Sequence, residues 1–100
     1  MRIIARAALV AFWKKHPDSK EQLSHWYNIA FKAKWRNQNE IKGSFPNVSV
    51  LSNNRIVFNI KGNDYRLVVA VKFSVSTLYI CWVGTHSEYD KIDANSVWEF

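Results

Sequence analysis

Three residues in the second half of the sequence have side chains suited to cutting RNA. Arg66 lies within a predicted strand between apolar neighbours, and its guanidinium fork matches two oxygens of a phosphate. The same cation would stabilise a five-coordinate transition state, in which negative charge grows. His86 lies in the polar segment after another predicted strand, and an imidazole takes or gives a proton near neutral pH. The ring of Tyr89 can stack on an unpaired base.

Each of these residues also has a structural explanation. Arg55, Lys61 and Arg66 are equally consistent with the solvated side of a sheet. A lone histidine such as His86 is more often structural, because its neutral ring can satisfy a nearby carbonyl. Tyr89 can be a packing residue. Residue types alone therefore leave both interpretations open.

The acidic residues near His86 are potential proton acceptors, metal ligands or loop-solubilising groups. We favour the last role for Glu88 and Asp93 and leave Asp90 open. No metal site is expected, because the residues of ligand type lack ligand spacing: His16, His25, His86 and Cys81. The sequence has no Gly-rich phosphate loop, GxSxG elbow or zinc finger. We therefore expect cofactor-free cleavage, in which the 2′-hydroxyl of the RNA is the nucleophile.

Composition predicts one compact domain over residues 1–100, since 48% of the residues are hydrophobic and 22% are charged. A net charge of +6, with a cationic surplus between residues 32 and 72, indicates a polyanionic partner. The single cysteine, Cys81, excludes an intramolecular disulfide and favours a reducing compartment, the cytoplasm. The apolar run Ala7 to Trp13 is of minimal length for a signal peptide and runs into Lys14 and Lys15 without a small-residue cleavage site, so we expect it to be part of the mature structure. No run approaches the roughly 20 residues of a membrane span.

Two helices are predicted in the first third of the chain. Residues 1–5 suit a short edge strand, and apolar spacing predicts a helix over Arg6–Lys15 that Pro17 ends. Asp18, as an N-cap with a glutamate three positions later, predicts a second helix to about residue 36. The Asn-, Ser-, Gly- and Pro-rich residues 37–54 are predicted to form a loop, with four core anchors: Ile41, Phe45, Val48 and Leu51.

Three strands are predicted over residues 55–60, 64–73 and 77–83. Gly62-Asn63 suits a two-residue type II′ turn, which would pair Asn59 with Arg66. Alternation then places six residues on one face, against the helices: Ile56, Phe58, Ile60, Tyr65, Leu67 and Val69. Four polar residues share the other face: Arg55, Asn59, Lys61 and Arg66. We expect this cationic face to bring Arg66 within reach of His86.

Several segments of the chain resemble the HigB toxin family of bacterial toxin–antitoxin systems, namely LSHWYNIAFKAKW, FPNVSVL, RIVFNIKGNDYRLVVAV and YICWVGTHSEYDKID. The resemblance implies a RelE-like α+β fold, with two helices on one face of a small, mainly antiparallel sheet. It also implies a metal-independent mRNA endonuclease that acts on messages engaged by the ribosome. The implied partner is a HigA-like helix-turn-helix antitoxin, through which the toxin would contact operator DNA only indirectly.

The resemblance also implies roles for individual residues. Arg66 and Lys61 would hold the scissile phosphate, His86 would be the general acid or base, and Tyr89 would stack on or orient a base. Further RNA contacts would come from five residues: Arg55, Asn59, Asn63, Asp90 and Lys91. Two alternative functions use the same features. One is a non-catalytic module that binds single-stranded RNA, and the other is a gyrase-inhibiting toxin on the same scaffold.

Overall fold

The computed structural model describes all 100 residues as helices packed around one five-stranded sheet. The helices are α1 (Arg6–Lys15), α2 (Lys20–Lys32), α3 (Gln38–Ser44) and α4 (His86–Tyr89). The strands are β1 (Arg2–Ile4), β2 (Ser49–Val50), β3 (Arg55–Ile60), β4 (Tyr65–Lys72) and β5 (Thr77–Thr85). Their order is β1-β5-β4-β3-β2, with β1 parallel to β5 and every other pair antiparallel. The predicted α+β class is confirmed.

The helices on the first face follow the predicted pattern with one correction at α2. The bounds of α1 agree with the prediction, whereas α2 ends at Lys32 because Ala33 is extended, with ψ 155°. Asp18 is not an N-cap. It lies in a 3₁₀ turn, Pro17–Ser19, and its carboxylate bonds side chains of the sheet instead. None of the helices is long and apolar enough to span a bilayer.

Residues 37–54 contain two elements that the loop prediction missed. The side chain of Asn37 accepts a hydrogen bond from the Glu40 N–H at 3.1 Å and caps α3, which buries Ile41. The two-residue strand β2 then pairs with Val57 and Ile56 at the edge of the sheet. Seven- and two-residue elements are too short to show periodicity, but an Asn followed three residues later by Glu is a local capping signal.

The β3–β4 hairpin has the predicted register, including the Asn59–Arg66 pair. Gly62 has φ +64°, and the Asp64 N–H donates to the Lys61 carbonyl, which closes the turn. All six residues assigned to the helix face belong to the main core. β5 continues two residues beyond its predicted end, to Thr85, and thereby reaches the turn.

The second face of the sheet differs from the prediction, because its centre is apolar and covered. A small cluster packs there beneath the chain that follows α4: Val57, Val68, Cys81, Trp82 and Ala94. In β5 the register shifts at a β-bulge, since Val68 pairs with Trp82 and Val69 with Ile80. The extra residue, Cys81, packs in the same cluster as Trp82, and burial raises the pKa of its thiol. At the turn end of this face Asn59 is exposed and Arg66 is half-buried.

Candidate functional site

The candidate site lies where the β3–β4 turn meets the end of β5. Arg66 pairs with Gly84, and Tyr65 pairs with Thr85, which is the N-cap of α4. The Thr85 hydroxyl accepts from the Glu88 N–H at 3.2 Å, and Glu88 Oε1 accepts from the Thr85 N–H at 2.9 Å. This capping box lowers the pKa of Glu88 and gives it a structural role in place of the predicted solubilising one. The sequence signal was T-x-x-E at 85–88.

His86 is held against the hairpin turn by its backbone. Its N–H donates to the Asp64 carbonyl at 3.0 Å, so α4 begins on the turn itself. The imidazole is half-exposed, and its Nε2 lies 3.8 Å from the Asp90 carboxylate. The ring lines a cavity of about 380 Å³ together with Asn63, Asp64, Tyr65, Thr85 and Ser87. A polar ligand at the turn can therefore reach the imidazole.

Arg66 lies on the second face, next to the same turn. Its Nη1 donates to the Asn63 carbonyl at 3.1 Å, and its guanidinium carbon is 5.8 Å from the centre of the Tyr89 ring. Tyr89 packs in turn against Trp82, with ring centres 6.1 Å apart. Arg66 forms no salt bridge. Its positive charge is held in place by neutral groups and is free to bind an anion.

Gly84 makes this arrangement of rings possible. A Cβ at Gly84 would overlap the six-membered ring of Trp82, so only glycine lets the indole lie across β5 here. The indole supports Tyr89, which lies beside the guanidinium of Arg66. The glycine therefore influences the position of Arg66 through two successive contacts.

Of the nine predicted site residues, seven lie at or near the turn end of the sheet, and the side chains of the other two are bonded elsewhere. Five of them gather at the turn end of the sheet: Asn59, Asn63, Arg66, His86 and Tyr89. Asp90 lies beside His86, and Lys91 is exposed just beyond it. The other two, Arg55 and Lys61, have different surroundings.

The expectation that Arg55 is exposed on a cationic face is wrong. Its side chain is covered by the C-terminal segment and is only 7% exposed. Its Nη1 donates to the carbonyls of Ala94 at 3.0 Å and Val97 at 2.7 Å, and Trp98 lies over the guanidinium. The cation satisfies these carbonyls and is closed off from RNA.

Lys61 does not share a face with Arg66 either, because it adopts φ +53° and so leaves the strand alternation. Its ammonium reaches Asp18 Oδ2 at 2.8 Å, and Asp18 Oδ1 accepts from the Tyr65 hydroxyl at 2.5 Å. The hydrogen bonds from Lys61 and Tyr65 lower the pKa of Asp18. The Asp18 carboxylate raises the pKa of Lys61, and that of Tyr65 to about 12. This cluster ties the turn to the helices.

Comparison with known proteins relates the chain to one group of toxins. Residues 19–92 match the family model described as HigB_toxin, RelE-like toxic component of a toxin-antitoxin system. The mRNA interferase toxin HigB of Escherichia coli strain K12 is 33% identical over 92 residues, which is 90% of this chain and 88% of that protein. An mRNA interferase HigB from Escherichia coli O6:H1 strain CFT073 is 24% identical over 94 residues, covering 92% and 91% of the two chains.

Proposed function

This chain belongs to the HigB family of RelE-like toxins from toxin–antitoxin systems, and we propose that it is an mRNA interferase. In this function it is an endoribonuclease that cuts messenger RNA and thereby inhibits translation. The observation that carries the proposal is that an arginine without a counter-ion and an accessible histidine are anchored to the same hairpin turn. The guanidinium of Arg66 bonds the carbonyl of Asn63, and the backbone N–H of His86 bonds the carbonyl of Asp64, so both residues are anchored to adjacent carbonyls of one turn.

The reaction follows from the chemistry of these two groups. Arg66 binds the non-bridging oxygens of the phosphate and stabilises the extra negative charge of the five-coordinate transition state. The 2′-hydroxyl of the RNA attacks phosphorus, and the bond from phosphorus to the 5′-oxygen of the next nucleotide breaks. His86 makes one of the two proton transfers, taking the proton from the 2′-hydroxyl or giving one to the leaving 5′-oxygen, and water makes the other. The products are a 2′,3′-cyclic phosphate and a free 5′-hydroxyl.

The neighbouring residues position these groups and the substrate. The capping box at Thr85 fixes the start of α4, and the Asp90 carboxylate lies 3.8 Å from Nε2 of His86. Tyr89 lies beside the guanidinium of Arg66, and its half-buried ring would stack on or orient a base. Asn59 and Asn63 provide neutral hydrogen-bonding groups next to the phosphate, and Lys91 adds an exposed positive charge.

The charge distribution supports a second polyanionic partner, which would bind the surface formed by residues 1–36. Residues 1–36, which form β1, α1 and α2, contain eight cationic and two anionic side chains, whereas residues 37–100 contain six of each. Residues 1–36 thus carry the whole formal net charge of +6, whereas residues 37–100 are neutral in sum. We propose that an acidic segment of a HigA-like antitoxin binds this helical surface. The toxin would contact operator DNA only indirectly, through the helix-turn-helix domain of that antitoxin. This contact should weaken as salt is added.

The toxin would act in the bacterial cytoplasm on messages held by the ribosome, where translated RNA is single-stranded. Neither the family nor the names of the relatives supports the two alternatives, a non-catalytic RNA-binding module and a gyrase inhibitor. A gyrase inhibitor would not need the open guanidinium of Arg66. A binding module would not need the imidazole of His86.

The proposal is tested by expressing the chain in a bacterium and mapping the 5′ ends of mRNA before and after induction. New 5′ ends within coding regions are expected. His86→Gln should lower their yield by about 10²-fold or more, the range for loss of a general acid or base. His25→Gln, an exposed histidine on α2, is the matched control and should behave as the wild type. Growth arrest with unbroken mRNA would contradict the proposal.

A further inference from the structure

A second cavity, of about 380 Å³, lies on the other side of the same hairpin turn, against the open edge of β3. Its walls are the 44–48 loop after α3 and the turn itself, with five residues important here: Phe45, Asn47, Asn59, Gly62 and Asn63. Asn63 also lines the cavity of His86, so the two cavities meet at this residue. The arginine between them, Arg66, pairs with Asn59 and bonds Asn63.

The cavity has unpaired backbone groups because β2 covers only part of the β3 edge. The carbonyl of Arg55 accepts from the Leu51 N–H, and the carbonyl of Asn54 accepts from the Val71 N–H. The Arg55 carbonyl therefore points away from β4 and the Asn54 carbonyl points towards it. Because backbone groups alternate in this way along an antiparallel strand, the odd-numbered residues of β3 point their N–H and C=O away from β4. β2 pairs with Val57 and reaches no further. The N–H and C=O of Asn59 therefore face the cavity and lack a backbone partner.

The remaining walls suit a flat, neutral, hydrogen-bonding ring. The side-chain amides of Asn47 and Asn59 are exposed and form no hydrogen bond within the chain. Phe45 supplies an apolar surface and is held edge-on against Phe58, with ring centres 5.2 Å apart. The loop is also anchored, since the Phe45 N–H donates to the Ile41 carbonyl at 2.8 Å. The cavity is thus formed before any ligand binds.

We propose that this cavity binds a nucleobase of the substrate RNA, one that lies next to the phosphate held by Arg66. The backbone N–H and C=O of Asn59 lie side by side and match an adjacent acceptor and donor on the edge of a base. The side-chain amides of Asn47 and Asn59 would contribute to discrimination between bases. Phe45 provides the apolar contact to the ring. The cavity would make cleavage depend on the base at one position. This inference rests on the proposed function.

The open edge also has the groups needed to pair with a peptide strand, but two observations favour a base. Only one residue of β3, Asn59, has both backbone groups free, and strand addition uses several successive residues. Asn59 also lies opposite Arg66 in a non-hydrogen-bonded pair, in which side chains approach closely. A nucleotide phosphate on Arg66 brings its own base to this edge.

The direct test is to titrate the ¹⁵N-labelled full chain with each of the four 5′-mononucleotides and follow the backbone amide resonances. The expected result is a shift of the Asn59 and Asn63 amides that differs between bases. Shifts confined to Arg66 and His86 would keep the phosphate site but overturn the base cavity. No shift with any of the four, or a response of the edge amides only to the antitoxin, would also overturn it.

The functional test is the distribution of cleavage positions in mRNA translated by a purified translation system. Asn47→Ala is expected to reduce base preference at one position beside the cut by about tenfold, the order expected for loss of a bidentate contact to a base. Asn28→Ala, an exposed asparagine on α2, is the matched control and should keep both the rate and the preference. An unchanged distribution in Asn47→Ala overturns the inference. Absence of any cleavage by the wild type would instead refute the proposed function.

Discussion

Arg55 and Arg66 lie at opposite ends of the same face of the β3–β4 hairpin, and the two have opposite surroundings. The guanidinium of Arg55 is buried under the C-terminal segment, where it donates to the carbonyls of Ala94 and Val97. The guanidinium of Arg66 is half-buried at the turn, where it contacts the Asn63 carbonyl and the ring of Tyr89. Neither forms a salt bridge, but only Arg66 can be reached by an anion from solution.

The difference between the two arginines comes from what covers each end of the face. The chain after α4 crosses Val57, Val68 and Cys81 and closes over Arg55, while α4 itself stops at the turn and leaves Arg66 open. One arginine thus stabilises the covering segment, and the other remains open to an anion. Strand alternation shows which side chains share a face, but not which of them remain accessible.

The largest expected effect is the loss of cleavage in Arg66→Ala. In the proposed mechanism this cation binds the transition-state charge, so its removal should lower the yield of new 5′ ends by about 10²–10³-fold. The melting temperature should change little, because the side chain is partly exposed and bonds only neutral groups. Both quantities are measured on the same purified protein. If Arg66→Ala cut RNA at the wild-type rate, the proposed difference in function between Arg66 and Arg55 would be wrong.

Arg55→Ala should show the reverse pattern, a loss of stability without loss of chemistry. Two carbonyls under the C-terminal segment lose a charged donor, so the free energy of unfolding should fall by about 2–3 kcal/mol. Arg36→Ala, which removes a highly exposed ion pair to Glu40, is the control and should leave the free energy of unfolding nearly unchanged. Urea denaturation measures both. If Arg55→Ala cleaved far more slowly per folded molecule, the buried arginine would have a role in the site.

Gly84→Ala should have a smaller effect on stability and should also disturb the site. The added methyl group overlaps Trp82, and overpacking of this kind costs about 1–3 kcal/mol. Displacement of the indole moves Tyr89 away from Arg66, so cleavage should weaken. Gly43→Ala is the control, because nothing lies within 4 Å of its new Cβ and alanine favours helix α3. Equal stability in the two variants would contradict the packing argument.

The smallest effect concerns the cluster of Lys61, Asp18 and Tyr65. In Asp18→Asn the Tyr65 hydroxyl loses its charged acceptor, so its pKa should fall from about 12 towards the ordinary value of about 10. A spectrophotometric titration of tyrosinate follows this change, with Tyr65→Phe to identify the signal. A titration identical to that of the wild type would contradict the assigned hydrogen bond.

The same cluster gives stability a defined pH dependence. The lowered pKa of Asp18 means that its contribution is present above the unfolded value of about 4 and is lost as the pH falls through the folded pKa. The raised pKa of Tyr65 means that its contribution is present below about pH 10 and is lost as the pH rises through about 12. Asp18→Asn should flatten both limits of the stability profile.

Local sequence signals were sufficient for the helix α1, the strand β3 and the register of the hairpin. A glycine-first, two-residue turn permits one pairing, and alternation then sorts the side chains. The segment after Asp93 has no periodic pattern, so nothing in it predicted a cover for the second face. The β-bulge at Cys81 was also not predicted. An extra residue changes which face of the sheet the following side chains occupy, but it has no distinctive local sequence.

Local sequence patterns were enough to predict which side chains pair across the hairpin and that Arg66, His86 and Tyr89 lie in or next to the strands that meet there. They were enough because turn chemistry and alternation act over a few residues. The packing of distant segments shows that Arg66 stays accessible, that Arg55 is buried and that Lys61 bonds Asp18. Those outcomes depend on contacts between residues 39 to 43 positions apart, and burial by so distant a segment leaves no pattern in the residues it covers.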